Sequence, residues 1–309
     1  MSDITRRKFL ELSVKLSLIT GLGATAVPRI AEALGELSKG QAPVLWLQGQ
    51  SCSGCSVSLL NSDHPDPVTL LTSYISLRFH ATLSTATGEV GMAVINQTVD
   101  QGGYLLAIEG SIPTGMPEAC MVGHETFQSQ FSRAAKKANA VIAVGGCASF
   151  GGIPAAENNP TGAQSVPAFL KKEKIDKPVI SIPGCPVHPD WLVGTLVHVL
   201  KFGIPALDEN LRPKMFFGKL LHDQCPRFAD YEREKFAKSF QDEGCLFKLG
   251  CLGPTTHADC TVRRWNSNIN DCISAGAPCI GCASEHFPHK TAFPLYRKGE
   301  RSTGKEKVS

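Results

Sequence analysis

Short apolar runs alternate with longer mixed segments from about Gln41 to Gly203. Apolar runs that end in glycine or another turn residue predict buried strands. Between them, apolar residues recur at helical spacing, and Gly203 ends the last such segment. A repeated order of strand, loop and helix is typical of an α/β fold in which helices cover both faces of a doubly wound parallel sheet. The predicted strands are residues 43–48, 75–83, 103–110, 139–146 and 177–184, and the clearest helices are residues 131–138 and 189–203.

The pattern changes after Gly203. Residues 216–240 contain one plausible helix, and the rest of this region is rich in cysteine, glycine and proline with few strand signals. A segment of this kind has little apolar core of its own, so metal or cross-links must hold it together. We therefore predict a first domain over residues 41–203, a mostly irregular second domain with few helices over 204–295, and a polar flexible tail over 296–309.

The first residues resemble an export signal. Arg6 and Arg7 form the pair of a twin-arginine signal, and the weakly apolar stretch 12–27 that follows is too short and too polar to span a bilayer. Ala31-Glu32-Ala33 then matches an A-x-A cleavage pattern. We predict a signal peptide over residues 1–33, cleavage after Ala33 and a periplasmic location; an amphipathic surface helix is the alternative. No second apolar run approaches transmembrane length, so the mature chain is predicted to have no membrane span.

Charge and cysteine content narrow the class of protein. The 309 residues carry a formal net charge of +3 at pH 7, which gives no reason to expect a nucleic-acid surface. The 12 cysteines are many for an ordinary soluble enzyme and few for a disulfide scaffold. The twin-arginine route exports folded proteins, which suits a cofactor inserted in the reducing cytoplasm and weakens a disulfide explanation.

Four of the cysteines follow predicted strands. The carboxyl ends of parallel strands meet at one edge of a doubly wound sheet, where ligands bind. These four thiols can therefore converge on one site although they are far apart in sequence. Glycines beside them would let the backbone approach a bulky inorganic group. The first set is Cys52, Cys55, Cys147 and Cys185.

The second domain supplies two further sets of four. The second set combines His222 with Cys225, Cys245 and Cys251, and the third set contains Cys260, Cys272, Cys279 and Cys282. Either set could hold an iron–sulfur cubane or a zinc ion, and disulfides are a further alternative. Cys120 is left over and is predicted to be a buried structural thiol.

The combined motifs resemble the small, electron-transferring subunit of nickel-iron hydrogenases over nearly the whole chain. They are WLQGQSCSGCSVSLLNS (46–62), AIEGSIP (107–113), GGCASFGGIPAAE (145–157), IPGCPVHPDWLVGT (182–195), HDQCPR (222–227), GCLFKLGCLGPTTHADC (244–260), RRWN (263–266) and CIGC (279–282). The resemblance implies a flavodoxin-like first domain and a loosely structured iron–sulfur domain.

The resemblance also implies a relay of three [4Fe–4S] clusters. The first set would hold the proximal cluster, nearest the nickel-iron site of a large subunit. Cys260, Cys272, Cys279 and Cys282 would hold the medial cluster, and His222, Cys225, Cys245 and Cys251 the distal one. Many family members have proline where Cys272 stands and keep a medial [3Fe–4S] cluster, so Cys272 implies a [4Fe–4S] cluster here. This feature resembles the nickel-iron-selenium branch, whereas Ser51 departs from the family because many members have glutamate there.

The implied function is electron transfer between the large subunit and an external acceptor during reversible H2 oxidation, with no catalytic residue for H2 in this chain. The implied partners are the large subunit and a periplasmic cytochrome c that docks near His222. The alternatives are an iron–sulfur electron-transfer subunit of a non-hydrogenase complex and a zinc-stabilised binding protein.

Overall fold

The computed structural model describes residues 42–288, and the predicted signal peptide and tail lie outside them. A five-stranded sheet forms the centre of the first domain, with the strand order β2-β1-β3-β4-β5. All neighbouring pairs in it are parallel. This order is the flavodoxin-like doubly wound order, and its switch point lies between β1 and β3. The strands are β1 (Ala42–Gln48), β2 (Ile75–His80), β3 (Leu105–Glu109), β4 (Ala140–Val144) and β5 (Val179–Ile182).

Six helices accompany the sheet within the described residues. Thr126 and Ser165 begin two of them with side-chain caps, and His188 caps the last one ahead of Pro189. The helices are α1 (Gly54–Leu60), α2 (Gly88–Gln101), α3 (Phe127–Lys137), α4 (Gly145–Phe150), α5 (Val166–Lys172) and α6 (Pro189–Phe202).

Several short elements connect these helices and strands. One helical turn, Pro67–Thr69, continues as a π-helical turn, Leu70–Tyr74, and two 3₁₀ turns follow later at Pro117–Ala119 and Ile153–Ala155. Two-residue strands pair Ile112–Pro113 with Ala163–Gln164 and Met121–Val122 with Glu125–Thr126.

The sheet has an apolar layer on each face, which confirms the predicted α/β fold. Successive residues of a strand point to opposite faces, and β1 follows this rule. Val44 and Trp46 pack in one core with α1 and α6, whereas Leu45 and Leu47 pack in the other with α2, α3 and α5. Both faces are therefore buried, as in other parallel sheets.

The region after α6 is mostly irregular, as predicted. Its separate core is small and consists of Leu221, Ala237, Leu246, Ile273 and Cys279. The plausible helix within residues 216–240 is only the short helix Phe228–Glu232. The other short helices are Lys214–Phe217 and Cys260–Arg263, and 3₁₀ turns occur at His222–Gln224, Phe247–Leu249 and Gly253–Thr255. The exact domain boundaries stay predictions.

No helix among the described residues is both long and apolar enough to cross a membrane.

Candidate metal centres

The first set of cysteines gathers at the carboxyl edge of the sheet. Cys52 follows β1, Cys55 lies in the first turn of α1, Cys147 lies in α4 directly after β4, and Cys185 follows β5. Burial raises the pKa of Cys147 to about 11, with contributions from the nearby thiols of Cys185 and Cys52. Burial likewise raises the pKa of Cys55, with Cys147 and Cys185 close enough to contribute. The structure thus brings all four thiols together.

Two glycines leave room for these side chains. Gly145 has φ +84°, and its Cα faces the sulfur of Cys55 so closely that a Cβ would collide with it. Gly152 has φ +54°, and a Cβ there would lie 2.7 Å from Cys147 Cα and 2.9 Å from its sulfur. Only glycine fits such positive φ angles and close approaches without strain.

A buried carboxylate supports the first set from behind. Glu109, at the end of β3, is 2% exposed. Its Oε1 accepts hydrogen bonds from the backbone N–H of Cys55 at 3.0 Å and of Ser56 at 3.3 Å. Its Oε2 accepts from Gln48 Nε2 at 2.9 Å and Trp46 Nε1 at 3.3 Å. Glu109 therefore holds the start of α1, and with it Cys55, against the sheet.

His80 extends this network and was not predicted from the sequence. It is fully buried at the end of β2, and its Nε2 lies 3.2 Å from Ser56 Oγ, which in turn donates to Glu109. The local signal was a charged or titratable residue at the end of an apolar strand, in LRFH for His80 and LLAIE for Glu109. That signal does not reveal that β2 and β3 flank β1.

The third set surrounds a cavity of about 370 Å³. Cys260, Cys272, Cys279 and Cys282 all line it, with Cys272 at an exposed position and Cys279 buried. Burial raises the pKa of Cys282 to about 11 and that of Cys260 well above its usual range. The backbone N–H of Gly281 donates to Cys279 Sγ at 3.4 Å.

The second set lines one pocket as well. His222, Cys225, Cys245 and Cys251 all face it. The backbone N–H of Arg227 donates to Cys225 Sγ at 3.4 Å. Phe228 and Tyr231 hold the His222 ring edge-on, with ring centroids 5.1 and 4.6 Å away.

A shared cavity and a hydrogen bond connect the three sets in a row. Cys185 of the first set lines the same cavity as Cys282 of the third. The backbone N–H of Cys279 in the third set donates to Cys251 Sγ of the second at 3.4 Å. The spatial order is therefore first, third, second, which differs from their order along the chain.

The third donor set in particular fits an iron–sulfur cluster better than a single zinc ion. A zinc–sulfur bond is about 2.3 Å long, so four ligands must crowd around one ion. Within residues 42–288, no three His, Cys, Asp or Glu side chains lie close enough to hold one ion. The four cysteines of the third set line a cavity of about 370 Å³. In all three sets, backbone N–H groups point at ligand sulfurs, as cluster sulfurs require. A cationic iron core would also stabilise thiolates whose burial raises their pKa values.

The cysteines form no disulfide in the structure. Cys120 belongs to none of the three sets. It is half-buried, packs against the core that contains α2 and α3, and burial raises its pKa.

An α/β sheet with thiol sets in its loops, continued by a cysteine-rich domain, defines a class of iron–sulfur electron carriers. The family model "NADH ubiquinone oxidoreductase, 20 Kd subunit" matches residues 52–199, and the model for the C-terminal part of the NiFe/NiFeSe hydrogenase small subunit matches residues 217–294. The periplasmic [NiFeSe] hydrogenase small subunit of Desulfomicrobium baculatum is 43% identical, over 93% of this chain and 96% of that protein.

Solved structures agree with this match. The [NiFeSe] hydrogenase of Dm. baculatum aligns with a TM-score of 0.79 and 44% identity, over 83% of this chain and 98% of that chain. The enzyme from Desulfovibrio vulgaris Hildenborough aligns with a TM-score of 0.78 and 42% identity, over 82% and 96%. The chain belongs to the family of [NiFe]/[NiFeSe] hydrogenase small subunits. It is the electron-carrying subunit, and the H2 chemistry takes place in the large subunit with which it pairs.

Proposed function

We propose that this chain carries electrons through three [4Fe–4S] clusters between the Ni–Fe site of its large subunit and an external acceptor. The observation that carries the proposal is the row of three thiol sets: Cys185 and Cys282 line one cavity, and Cys279 donates to Cys251. Each cluster, when bound, takes up and releases one electron at a potential set by its ligands and its surroundings.

The first set binds the proximal cluster in this proposal, and the third binds the medial cluster. Cys272 supplies a fourth thiolate on the cavity of the third set, which supports four irons rather than three there. His222, Cys225, Cys245 and Cys251 bind the distal cluster. Because imidazole is neutral and thiolate is anionic, the distal cluster is easier to reduce than an all-cysteine cluster in the same surroundings.

The chain's own groups orient the clusters. Glu109 fixes the backbone at Cys55, and the N–H groups of Val187, Arg227 and Gly281 point at ligand sulfurs. These donors stabilise charge on the sulfurs without carrying a net charge of their own.

The proposed location is the periplasm, reached by the twin-arginine route with cleavage after Ala33. The names of two relatives, the periplasmic small subunits of Dm. baculatum and Solidesulfovibrio fructosivorans, support the location. The proposed acceptor is a cytochrome c that docks near His222, where Phe228 and Phe247 are exposed at 37% and 43%. Lys214, Lys219 and the acidic Asp223 are exposed and lie close to His222 in sequence.

Metal analysis of the anaerobically purified complex with its large subunit tests the proposal. Three four-iron clusters and one Ni–Fe site require about 13 iron and about one nickel per complex. About 12 iron without nickel would instead favour a non-hydrogenase redox complex. Zinc without iron would contradict both functions.

A further inference from the structure

A buried hydroxyl faces one cysteine of the third set. Thr256 is 2% exposed and lines the same cavity as Cys279. The Cys279 sulfur lies 3.9 Å from Thr256 Oγ1 and donates to it as a thiol. Gly281 also lies close to this hydroxyl, since a Cβ there would lie 3.4 Å from Thr256 Oγ1. The Thr256 hydroxyl therefore lies close both to the Cys279 sulfur and to the backbone at Gly281, whose N–H also donates to that sulfur.

The carbonyl that now accepts a hydrogen bond from the Thr256 hydroxyl also has other donors. Thr256 Oγ1 donates to the carbonyl of Leu252 at 2.7 Å. The same carbonyl also accepts from Thr255 N at 3.1 Å and from Thr255 Oγ1 at 3.2 Å. A carbonyl oxygen has two lone pairs, so Leu252 keeps its partners if the Thr256 hydroxyl turns away.

Loss of the Cys279 proton reverses the contact. A cysteine that ligates iron is a thiolate, which can only accept hydrogen bonds. If the hydroxyl hydrogen stayed on Leu252, the oxygen lone pairs of Thr256 would face an anionic sulfur inside a buried cavity. Rotation about the C–O bond of Thr256 alone turns the hydrogen toward the sulfur. The resulting bond has a charged acceptor and is therefore stronger than a neutral one.

We propose that Thr256 donates a hydrogen bond to the cluster-bound sulfur of Cys279 and thereby raises the reduction potential of the third-set cluster. This inference rests on the proposed function. Reduction adds negative charge to a cluster, and hydrogen bonds to its sulfurs stabilise that charge. The Thr256 hydroxyl and the backbone N–H of Gly281 then both donate to the same sulfur. Cys279 also contacts Cys251 through its backbone N–H, so the effect falls where the third set meets the second.

The chain offers a matched control for the test. Thr255→Val removes a neighbouring hydroxyl that also donates to Leu252 but is exposed. Thr256→Val, Thr255→Val and wild-type complexes with the large subunit are titrated anaerobically, with the reduced clusters followed by EPR. We expect Thr256→Val to lower the equilibrium constant for reduction of the third-set cluster about tenfold, which is about 59 mV for a one-electron couple. Thr255→Val leaves this constant within about twofold of wild type, and Thr256→Ser restores it.

A second readout follows the hydrogen itself. After exchange into D2O, we expect pulsed EPR of the reduced cluster to show an exchangeable hydrogen in wild type and in Thr256→Ser that Thr256→Val lacks. A purely structural role for Thr256 would leave this signal and the potential unchanged. Equal potentials in Thr256→Val and Thr255→Val would overturn the proposal.

Iron content separates the possible failures. If wild type itself lacks a third cluster by iron analysis and EPR, the proposed function fails and not the role of Thr256 alone. If Thr256→Val loses iron, Thr256→Ala is compared with Thr256→Ser. A lowered potential or loss of iron in Thr256→Ala, with Thr256→Ser intact, supports the hydroxyl contact. Equal iron and equal potentials in these two variants contradict it.

Discussion

His80 is a buried histidine whose surroundings favour the neutral ring. Burial lowers its pKa to about 4, although the nearby charge of Glu109 acts in the opposite direction. Its Nδ1 accepts a hydrogen bond from the backbone N–H of Thr82 at 3.1 Å. The proton of the neutral ring is therefore on Nε2, where it faces Ser56 Oγ. Protonation of Nδ1 would break the contact with Thr82 and place a buried charge behind the first cysteine set.

The low pKa of His80 predicts acid sensitivity. An unfolded histidine binds a proton near pH 6.5, and the folded one only near pH 4. Between these values the unfolded state binds more protons, so stability falls as the pH falls, by up to about 3 kcal/mol. We expect the thermal midpoint of the anaerobic complex to fall between pH 7 and 4.5, and less steeply in His80→Gln. His124→Gln, at an exposed histidine, keeps the wild-type pH dependence. The same slope in all three proteins would contradict this role of His80.

At the residue scale, the grouping of the cysteines could be predicted from the sequence. The residues that contact and position them could not. Cysteine is rare enough that each one after a strand is a signal, and the rule for parallel strands predicts their common edge. Glu109, His80 and Thr256 are common residue types in ordinary local contexts. Their roles come from contacts with residues at least 23 positions away along the chain. Such contacts depend on strand order and loop packing, which no local pattern contains.

At the level of elements, the sequence predicted all five strands of the main sheet and slightly overestimated most of them. Residues 103–110 were predicted and Leu105–Glu109 observed, because glycines at both ends belong to turns with positive φ. Four helices were not predicted: α1, α4 and α5 have fewer than eight residues, which is too short for a helical period to stand out, whereas α2 has 14. Helices α1 and α4 both begin at a glycine and carry a cysteine in their first turn. Helices α1 and α4 therefore orient Cys55 and Cys147 of the first set.

The turn after α4 gives a prediction about cluster loading. Gly152 has φ 54° and ψ −145°, and Gly203 has φ 77° and ψ −162°. Both glycines therefore combine a positive φ with an extended ψ. Alanine at either position costs roughly 1–3 kcal/mol of backbone strain. Only at Gly152 does the new Cβ also collide with Cys147, since nothing lies within 4 Å of a Cβ at Gly203. We expect Gly152→Ala to lose about four iron per complex, and Gly203→Ala to keep its iron. Full iron and an unchanged EPR spectrum in Gly152→Ala would show that Cys147 can shift without losing the cluster.

At the scale of the whole molecule, the second domain depends on contacts that sequence patterns do not describe. Its own apolar core is small, and the first domain fixes it partly through α6. Trp191 Nε1 donates to Asp259 Oδ1 at 2.7 Å, and His188 Nε2 lies 2.7 Å from the carbonyl oxygen of Arg264. The cysteine content showed that something must hold this region together. It did not show that the third set would lie between the other two.

The surface beside the first set predicts where the large subunit binds. Cys52 is exposed, and on α1 next to it Val57 and Leu60 are 54% and 43% exposed although the opposite side of the helix is buried. A cluster that exchanges electrons with the Ni–Fe site must face the large subunit, so we expect that subunit to cover this apolar surface. Val57→Asp would then bury a charge at the interface and weaken association at least about tenfold, or about 1.4 kcal/mol.

Val90→Asp is the matched control, because Val90 is a 65% exposed helical valine on α2, which packs on the other face of the sheet. Aspartate has the same poor helix propensity at both positions, so a difference between the variants reports the interface. The measurement is the amount of large subunit recovered with a tagged small subunit at several protein concentrations. Iron per small subunit must stay at the wild-type level, which separates a weakened interface from a lost cluster. Equal recovery with Val57→Asp and Val90→Asp would mean that the large subunit leaves this side of α1 uncovered and reaches the first set from another direction.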